Sequence, residues 1–584
     1  MLRIPIAQNL LTKLVKIKED NNFVYVSFPY HPELIQKAKS IYPHKFLKEF
    51  KCWIYPVALR EDVYNTFGIY CPPKNKAAFN IDEPLSPYLF KYQIECIQLA
   101  RKYPKYGLYL EMGLGKTMII CEILKYKKCK TLIVAPLSTL RPVWEYHFKT
   151  YYPQLKVYNL YPFSKNQRKA LIKYDDGIHI INFDGFKIHF KDIMEAGYKC
   201  LVIDESSVLR SFKYFSKKEE EEEEEVEEEV VIDEKGKKKK KKKRKIRGGS
   251  LIAKKLIKMA QQTESVYLLS GNPCPNSKLE LYAQVCAIAP GLLGWSYYQF
   301  RNRYFEKRGK WEWVEKKEMQ QELIDRLKKI AIFIKKEDVL DLPEKVFIER
   351  EVEMTKEQWK YYNELRDQLR TQIGEIEVLT PHILQQIMKL RQITSGFLYY
   401  DESKKSVIFS EAKLKVLKEV LDEIPKEYQV VIWCIFREEI KLISEKLKSA
   451  VAIYGDTSSE ERDRILMDFF NGKYRYLIAH PGTLGHGVNL TNCSYAIYYS
   501  LDWSAELWSQ SQDRIHRVGQ KRNCTYISLL CKDTIDEIIY GRLQKKIEGS
   551  KELLEHLKIK IKKEKKKDKR GGDDEKSQVR RSYQ

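Results

Sequence analysis

A chain of 584 residues with 43% apolar and 12% aromatic side chains holds material for roughly three or four packed domains, which excludes a mostly disordered protein. Its twelve cysteines include no Cys-x-x-Cys pair, which speaks against a zinc ribbon or a disulfide framework, and no apolar run reaches the ~18 residues of a membrane span. The formal charge is +25, and discounting the charged stretches Lys217–Arg247 and Lys551–Gln584 leaves about +18 on the remainder, a surplus that suits a polyanion such as nucleic acid or, alternatively, plain solubility.

The opening stretch "MLRIPIAQNLLTKLVK" is interrupted by Gln8, Asn9 and Lys13, unlike a signal peptide, so a reduced intracellular protein is expected. Residues 1–80 predict a small α+β module: "NFVYVSFPY" alternates like a strand, "PELIQKAKSIY" has helical spacing and "KCWIYPV" fits a second strand. Residues 81–289 alternate short apolar strands ("TLIVAP", "CLVID") with helical stretches, the pattern of a parallel sheet covered by helices. Between 290 and 405 the strand signal is lost and a helical block is expected. The strand–helix alternation returns over 406–550 in "VVIWCIF", "YLIAHPG", "YAIYYSL" and "CTYISLL". Two segments are expected to stay unstructured or frayed: the charged insert 217–249, whose acidic and basic blocks read as a solvated loop, an import signal or a DNA tether, and the basic tail 551–584.

Three stretches carry chemistry. In "YGLYLEMGLGKTMII" an apolar strand runs into a turn, Met112, Gly113, Leu114 and Gly115, whose amides suit phosphate oxygens. Lys116 offers a point charge to the outer phosphates, and the Thr117 hydroxyl suits Mg²⁺. The usual phosphate-loop pattern wants a glycine where Leu110 stands, so a glycine turn without nucleotide is the competing reading. In "YKCLVIDESSVLRS" a strand ends in Asp204 and Glu205, an acidic pair too costly to bury without a cation. Asp204 suits a water-bridged Mg²⁺, and Glu205 suits polarising an attacking water. In "SQSQDRIHRVGQ", Arg514 and Arg517 stand three apart, so on a helix they share a face; they serve either a γ-phosphate or a surface salt-bridge helix.

Taken in order, these segments resemble the Swi/Snf-type branch of the superfamily 2 helicase-like ATPases, from Leu85 to about Leu543. "LFKYQ" is similar to the family's adenine-reading motif, with Gln93 the reader, and "EMGLGKT" to its motif I. "LIVAPLSTLRPVWEYHF" is similar to the DNA-backbone motif Ia, and "DESS" stands at motif II. "LLSGNP" stands at the coupling motif III, where Ser270 and Gly271 are kept but Asn272 replaces the usual threonine. "APGLLGWSYYQFRNRYF", "KKEDVLDLPEK" and "LRQITSGFL" resemble the family's insertions between motor lobes. "HPGTLGHGVNL", with Gly485, Gly487 and Asn489, and "SQSQDRIHRVGQ", with Gln510, Arg514 and Arg517, resemble second-lobe motifs.

The resemblance implies an α/β fold of two tandem RecA-like lobes with a helical insertion between them. It also implies ATP and Mg²⁺ as cofactors, double-stranded or forked DNA as partner, no membrane, and a DNA-associated location in the cell. Gln93, the 112–117 turn and Gln510 would bind nucleotide, and Glu205, Lys116, Arg514 and Arg517 would act in hydrolysis. The N-terminal stretch resembles the HepA-related (HARP) domain of annealing helicases, which implies rewinding or remodelling of DNA forks in repair. Tyr25, Phe28, Trp53 and Tyr55 would then serve DNA or simply fill a small core.

Overall fold

The computed structural model describes residues 8–72, 85–210, 230–232, 238–240, 251–274, 277–308, 312–375, 381–399, 406–484 and 488–545. It divides into two compact units, one holding the chain up to Leu110 and Lys116–Phe333, the other holding Glu111–Gly115 and Ile334–Leu554.

The first unit begins with the small module. Its four-stranded antiparallel sheet runs in the order Lys16–Glu19, Phe23–Ser27, Cys52–Pro56, Lys45–Leu47, with helices Pro32–Ser40 and Arg60–Phe67 against it. Alternation decides the faces: Val24 and Val26 are fully buried while Phe23 and Tyr25 are half-buried. Of the aromatics expected to bind DNA or fill a core, Tyr55 is core, with its hydroxyl donating to the Ala38 carbonyl. Trp53 is half-buried and lies against the rings of Phe46 and His44.

The module is fastened to the rest of its unit by specific contacts. The Lys105 ammonium donates to Asn22 Oδ1 at 2.8 Å, Phe23 lies 5.8 Å from the Trp295 ring, and Arg326 donates to the Tyr42 carbonyl at 2.7 Å. The Arg303 guanidinium stacks 3.9 Å over the Tyr42 ring.

The main sheet of this unit has seven strands in the spatial order Ala331–Ile334, Lys105–Leu110, Ser265–Ser270, Cys200–Ile203, Thr131–Ala135, Ile178–Asn182, Val157–Asn159. Neighbours from Lys105–Leu110 onward pair in parallel. Parallel strands sandwiched by helices are wet on neither face, which is why Leu132, Ile133, Val134 and Leu201, Val202, Ile203 are all fully buried. The second unit carries a six-stranded parallel sheet in the order Lys345–Val352, Cys524–Cys531, Cys493–Tyr498, Gln429–Trp433, Tyr476–Ala479, Ala450–Ile453. Its core joins these strands to helices such as Ala412–Glu423 and Arg437–Lys446. The tandem parallel-sheet architecture is thus present.

Two expectations need correction. The block 290–405 is not uniformly helical. Ala331–Ile334 completes the edge of the first sheet and Lys345–Val352 the edge of the second. "KVFIEREV" hides its strand signal because an edge strand is half solvated, leaving Val346, Phe347 and Ile348 exposed among charges. The charged insert, expected to be without structure, holds a short antiparallel ladder pairing Val230–Ile232 with Lys238–Lys240. Its β-branched Val230, Val231 and Ile232 favour an extended chain. The remainder of the insert and the tail lie outside the described residues.

Candidate functional site

In open parallel sheets, ligands bind beyond the carboxyl ends of the strands. The strand Lys105–Leu110 ends there in the glycine turn, and the helix Lys116–Lys127 follows. Gly113 and Gly115 adopt φ of 84° and 71°, a left-handed backbone that a side chain resists. The Leu110 side chain is fully buried in the strand, and its carbonyl accepts the Lys116 ammonium at 2.8 Å. The residue that breaks the usual glycine pattern therefore sits in the sheet, outside the turn.

Two strands along in the sheet, Asp204 follows Cys200–Ile203. It is 8% exposed. Its Oδ2 accepts the indole N–H of the fully buried Trp144 at 2.9 Å, and its Oδ1 accepts the Glu205 N–H at 3.1 Å. Burial raises its pKa, although the Trp144 hydrogen bond and the Lys116 charge oppose the rise. Such a carboxylate is poised for a cation. Glu205 has φ 51°, a strained conformation for a non-glycine residue and one that concentrates at functional sites. Trp144 reaches Asp204 from a single π-helical stretch, Leu140–Glu145, which sequence periodicity does not reveal.

Other predicted residues fall as follows. Gln93 is buried, and its Oε1 accepts the Phe90 N–H at 2.9 Å, capping the helix Lys91–Lys102. Ser270 is fully buried at the end of the strand between those of Lys105 and Cys200, and its hydroxyl accepts the Asn272 N–H at 3.2 Å. In the second unit, Asn489 Oδ1 accepts the Thr491 N–H at 3.2 Å, and Gln510 donates to Glu506 at 3.4 Å within the helix Ala505–Gln512. Gly485 and Gly487 lie outside the described residues.

Arg514 and Arg517 do not share a helical face. The helix ends at Gln512, and both arginines stand on the irregular turns that follow, with Gly519 at φ 101°. The Arg514 carbonyl accepts the Leu490 N–H at 2.9 Å, a long-range bond that replaces the next helical turn. Arg514 is 4% exposed, and burial lowers the pKa of Arg517. Within the second unit the glycine turn approaches Arg517 closely. A Cβ on Gly113 would stand 3.3 Å from Arg517 Cβ and 3.6 Å from its Nε.

Sequence reasoning missed the residues that organise these groups. Besides Trp144, they are Glu111, Lys336 and Asp513. Asp513 lies in "SQSQDRIHRVGQ" and Lys336 in "KKEDVLDLPEK", but nothing in their spacing predicts that they meet. Among the described residues no group of three or more His, Cys, Asp or Glu side chains forms a metal cluster. No described helix is long and apolar enough to cross a membrane.

Residues 92–396 match the SNF2-related domain, and residues 412–519 match the helicase conserved C-terminal domain. An uncharacterized ATP-dependent helicase of Mycoplasma pneumoniae is 25% identical over 470 residues, 77% of this chain and 40% of its own length. Putative protein p41 of Acyrthosiphon pisum secondary endosymbiont phage 1 is 23% identical over 78% of this chain and 95% of its own. The SWI/SNF-related matrix-associated actin-dependent regulator of chromatin subfamily A-like protein 1 of Xenopus laevis is 25% identical over 80% of this chain and 44% of its own. The chain thus spans less than half the length of the Mycoplasma and Xenopus relatives.

Proposed function

Because the chain belongs to the SNF2-related family of helicase-like proteins, we propose that it is a DNA-stimulated ATPase that moves along double-stranded DNA. One observation carries the reading: within one compact unit the left-handed glycine turn lies against Arg517, so backbone amides and a guanidinium attend one spot. The turn amides and Lys116 bind the phosphates, Gln93 and Gln510 help hold the nucleotide, and Arg514 and Arg517 offset charge growing on the γ-phosphate. Glu205 orients the attacking water. Ser270, Gly271, Gly485, Gly487 and Asn489 couple hydrolysis to grip on DNA.

Mg²⁺ fits the donor set. Asp204 and Thr117 supply hard oxygens, and the ion takes few protein ligands beside phosphate and water. Asp204, steadied by Trp144, and Thr117 would hold the ion, which would supply charge neutralisation at the phosphates. Each cycle of ATP binding and release changes the grip on the duplex and so moves the protein along it.

The N-terminal module supports the narrower reading of a fork remodeller acting in DNA repair. It carries exposed Tyr30, Phe46 and Phe50 beside Lys45, Lys48 and Lys51, which suits unpaired bases and phosphates.

Phosphate release measured without nucleic acid, with duplex, with forked DNA and with RNA tests the proposal. Turnover rising with duplex is expected, and rising further with a fork supports the narrower reading. Preference for RNA would point to an RNA helicase instead, and absence of turnover under every condition to a DNA-binding scaffold.

A further inference from the structure

Lys336 is 3% exposed, and its contacts show how it organises the groups around it. Its ammonium donates to Asp513 Oδ1 at 2.7 Å and to the His516 carbonyl at 2.8 Å. Its backbone N–H donates to Glu111 Oε2 at 2.9 Å, and the Glu111 N–H in turn donates to the Ile334 carbonyl at 3.0 Å. The lysine stem runs beside the glycine turn, with Cε 3.8 Å from where a Cβ on Gly113 would stand. All of these residues belong to one compact unit.

This is an expensive arrangement. Asp513 is the first residue past the helix Ala505–Gln512, and His516 precedes Arg517, so Lys336 ties both ends of the turn that delivers the arginine. A buried ion pair generally adds little net stability over an apolar pair of the same size, so its value is in fixing geometry. The neighbours follow the same plan. Lys345 stands 3.6 Å from Asp513 and donates to Gln512 at 3.4 Å, and the His516 Nε2 lies 2.8 Å from the Pro343 carbonyl. Burial raises the pKa of Asp513, and the charges of Lys336 and Lys345 more than offset that; burial lowers the pKa of Lys336 and the Asp513 charge opposes the fall, so each partner favours the other's charged form.

We propose that Lys336 is a positioning residue for ATP hydrolysis: through its N–H it sets the phosphate-binding turn at Glu111, and through its ammonium it sets the turn bearing Arg514 and Arg517, so that the guanidinium groups meet the phosphates without rearranging. It touches no reacting atom. The inference rests on the ATPase reading above, and its mechanical half, the pinning of residues 513–517, is testable without nucleotide.

The experiment uses the full chain with Lys336→Met, Lys336→Arg and the double change Lys336→Met with Asp513→Asn. Hydrogen exchange of residues 509–520 is read without nucleotide, and kcat and KM for ATP are read with duplex DNA. Lys336→Met is expected to speed exchange in 509–520, to lower kcat by about 100-fold and to leave KM within about threefold. Lys336→Arg regains part of kcat. The double variant removes the orphaned buried carboxylate and brings the melting temperature back to within about 2 °C of the parent, yet kcat stays low. Unchanged exchange in 509–520 overturns the proposal, as does a double variant with the parent kcat, since charge balance alone would then explain the effect. If the parent hydrolyses no ATP under any condition, the ATPase reading fails, and the exchange arm still decides whether Lys336 pins the turn.

Discussion

The strand Lys105–Leu110 has a lysine at its root and another just past its tip, and the two are used in opposite ways. At the root, Lys105 donates to the carbonyl oxygens of Ala260 and Gln261 and to Asn22 Oδ1, fastening the N-terminal module to the sheet. Burial pushes its pKa down to about 8, against a weaker opposing effect of the Asp20 charge. At the tip, Lys116 rests on a single backbone carbonyl, that of Leu110, while the buried Asp204 carboxylate is near enough to feel its charge. The same residue type is structural where neutral oxygens enclose it, and on the ATPase reading proposed above it is chemical where a bare turn leaves it room for an anion. Position along a parallel strand, root or carboxyl end, makes that choice.

Changes at the tip break this contrast most severely. Lys116→Ala is expected to lower ATP turnover by roughly 1,000-fold while duplex affinity stays within about threefold, as checked by phosphate release and fluorescence anisotropy. Glu205→Gln is expected to cut turnover by about 100-fold and leave ATP on the protein, which filter binding with labelled ATP detects. Gly113→Ala forces a side chain into a left-handed turn 3.3 Å from Arg517 Cβ. A tenfold or greater loss of kcat with about 1–2 kcal/mol of strain is expected, read from turnover and urea midpoints together.

At the root the effect is on stability and pH. The folded chain gives up the Lys105 proton at about 8 and the unfolded chain at 10.5, so the unfolded state binds more proton between these values. This site's contribution to stability is therefore lowest below pH 8 and rises as pH climbs toward 10.5. Lys105→Met should remove that rise and take their lysine donor from Asn22 Oδ1 and the Ala260 carbonyl, at a cost of about 1–3 kcal/mol; urea midpoints measured across that range check both. An unchanged pH slope in the variant would show that the buried amine is not what titrates. The smallest effect is expected from deleting residues 217–247, since the strands described in that insert pair only with each other. Duplex-stimulated turnover is expected to stay within about twofold, and a large loss would place the insert in the machinery.

The linear pattern already specified much. Continuous apolar runs ending in Gly-Lys-Thr and in Asp-Glu mark parallel strands and the chemistry at their carboxyl ends, because both the strand and its functional end residues are adjacent in the chain. Phe23–Ser27, Thr131–Ala135, Cys200–Ile203 and Gln429–Trp433 all lie where alternation or apolar runs predict strands. What the pattern could not carry were contacts between residues 60 to 225 positions apart. Lys336 meets Asp513 and Glu111, and Trp144 meets Asp204, through single hydrogen bonds that leave no periodicity. The edge strands Ala331–Ile334 and Lys345–Val352 take their identity from the neighbour they pair with, and the stretch bearing Arg514 and Arg517 leaves the helix past Gln512, where the Arg514 carbonyl turns to the distant Leu490 N–H. Local chemistry is written in neighbouring residues, whereas the aim of a charged side chain is decided only when distant segments pack and desolvate it.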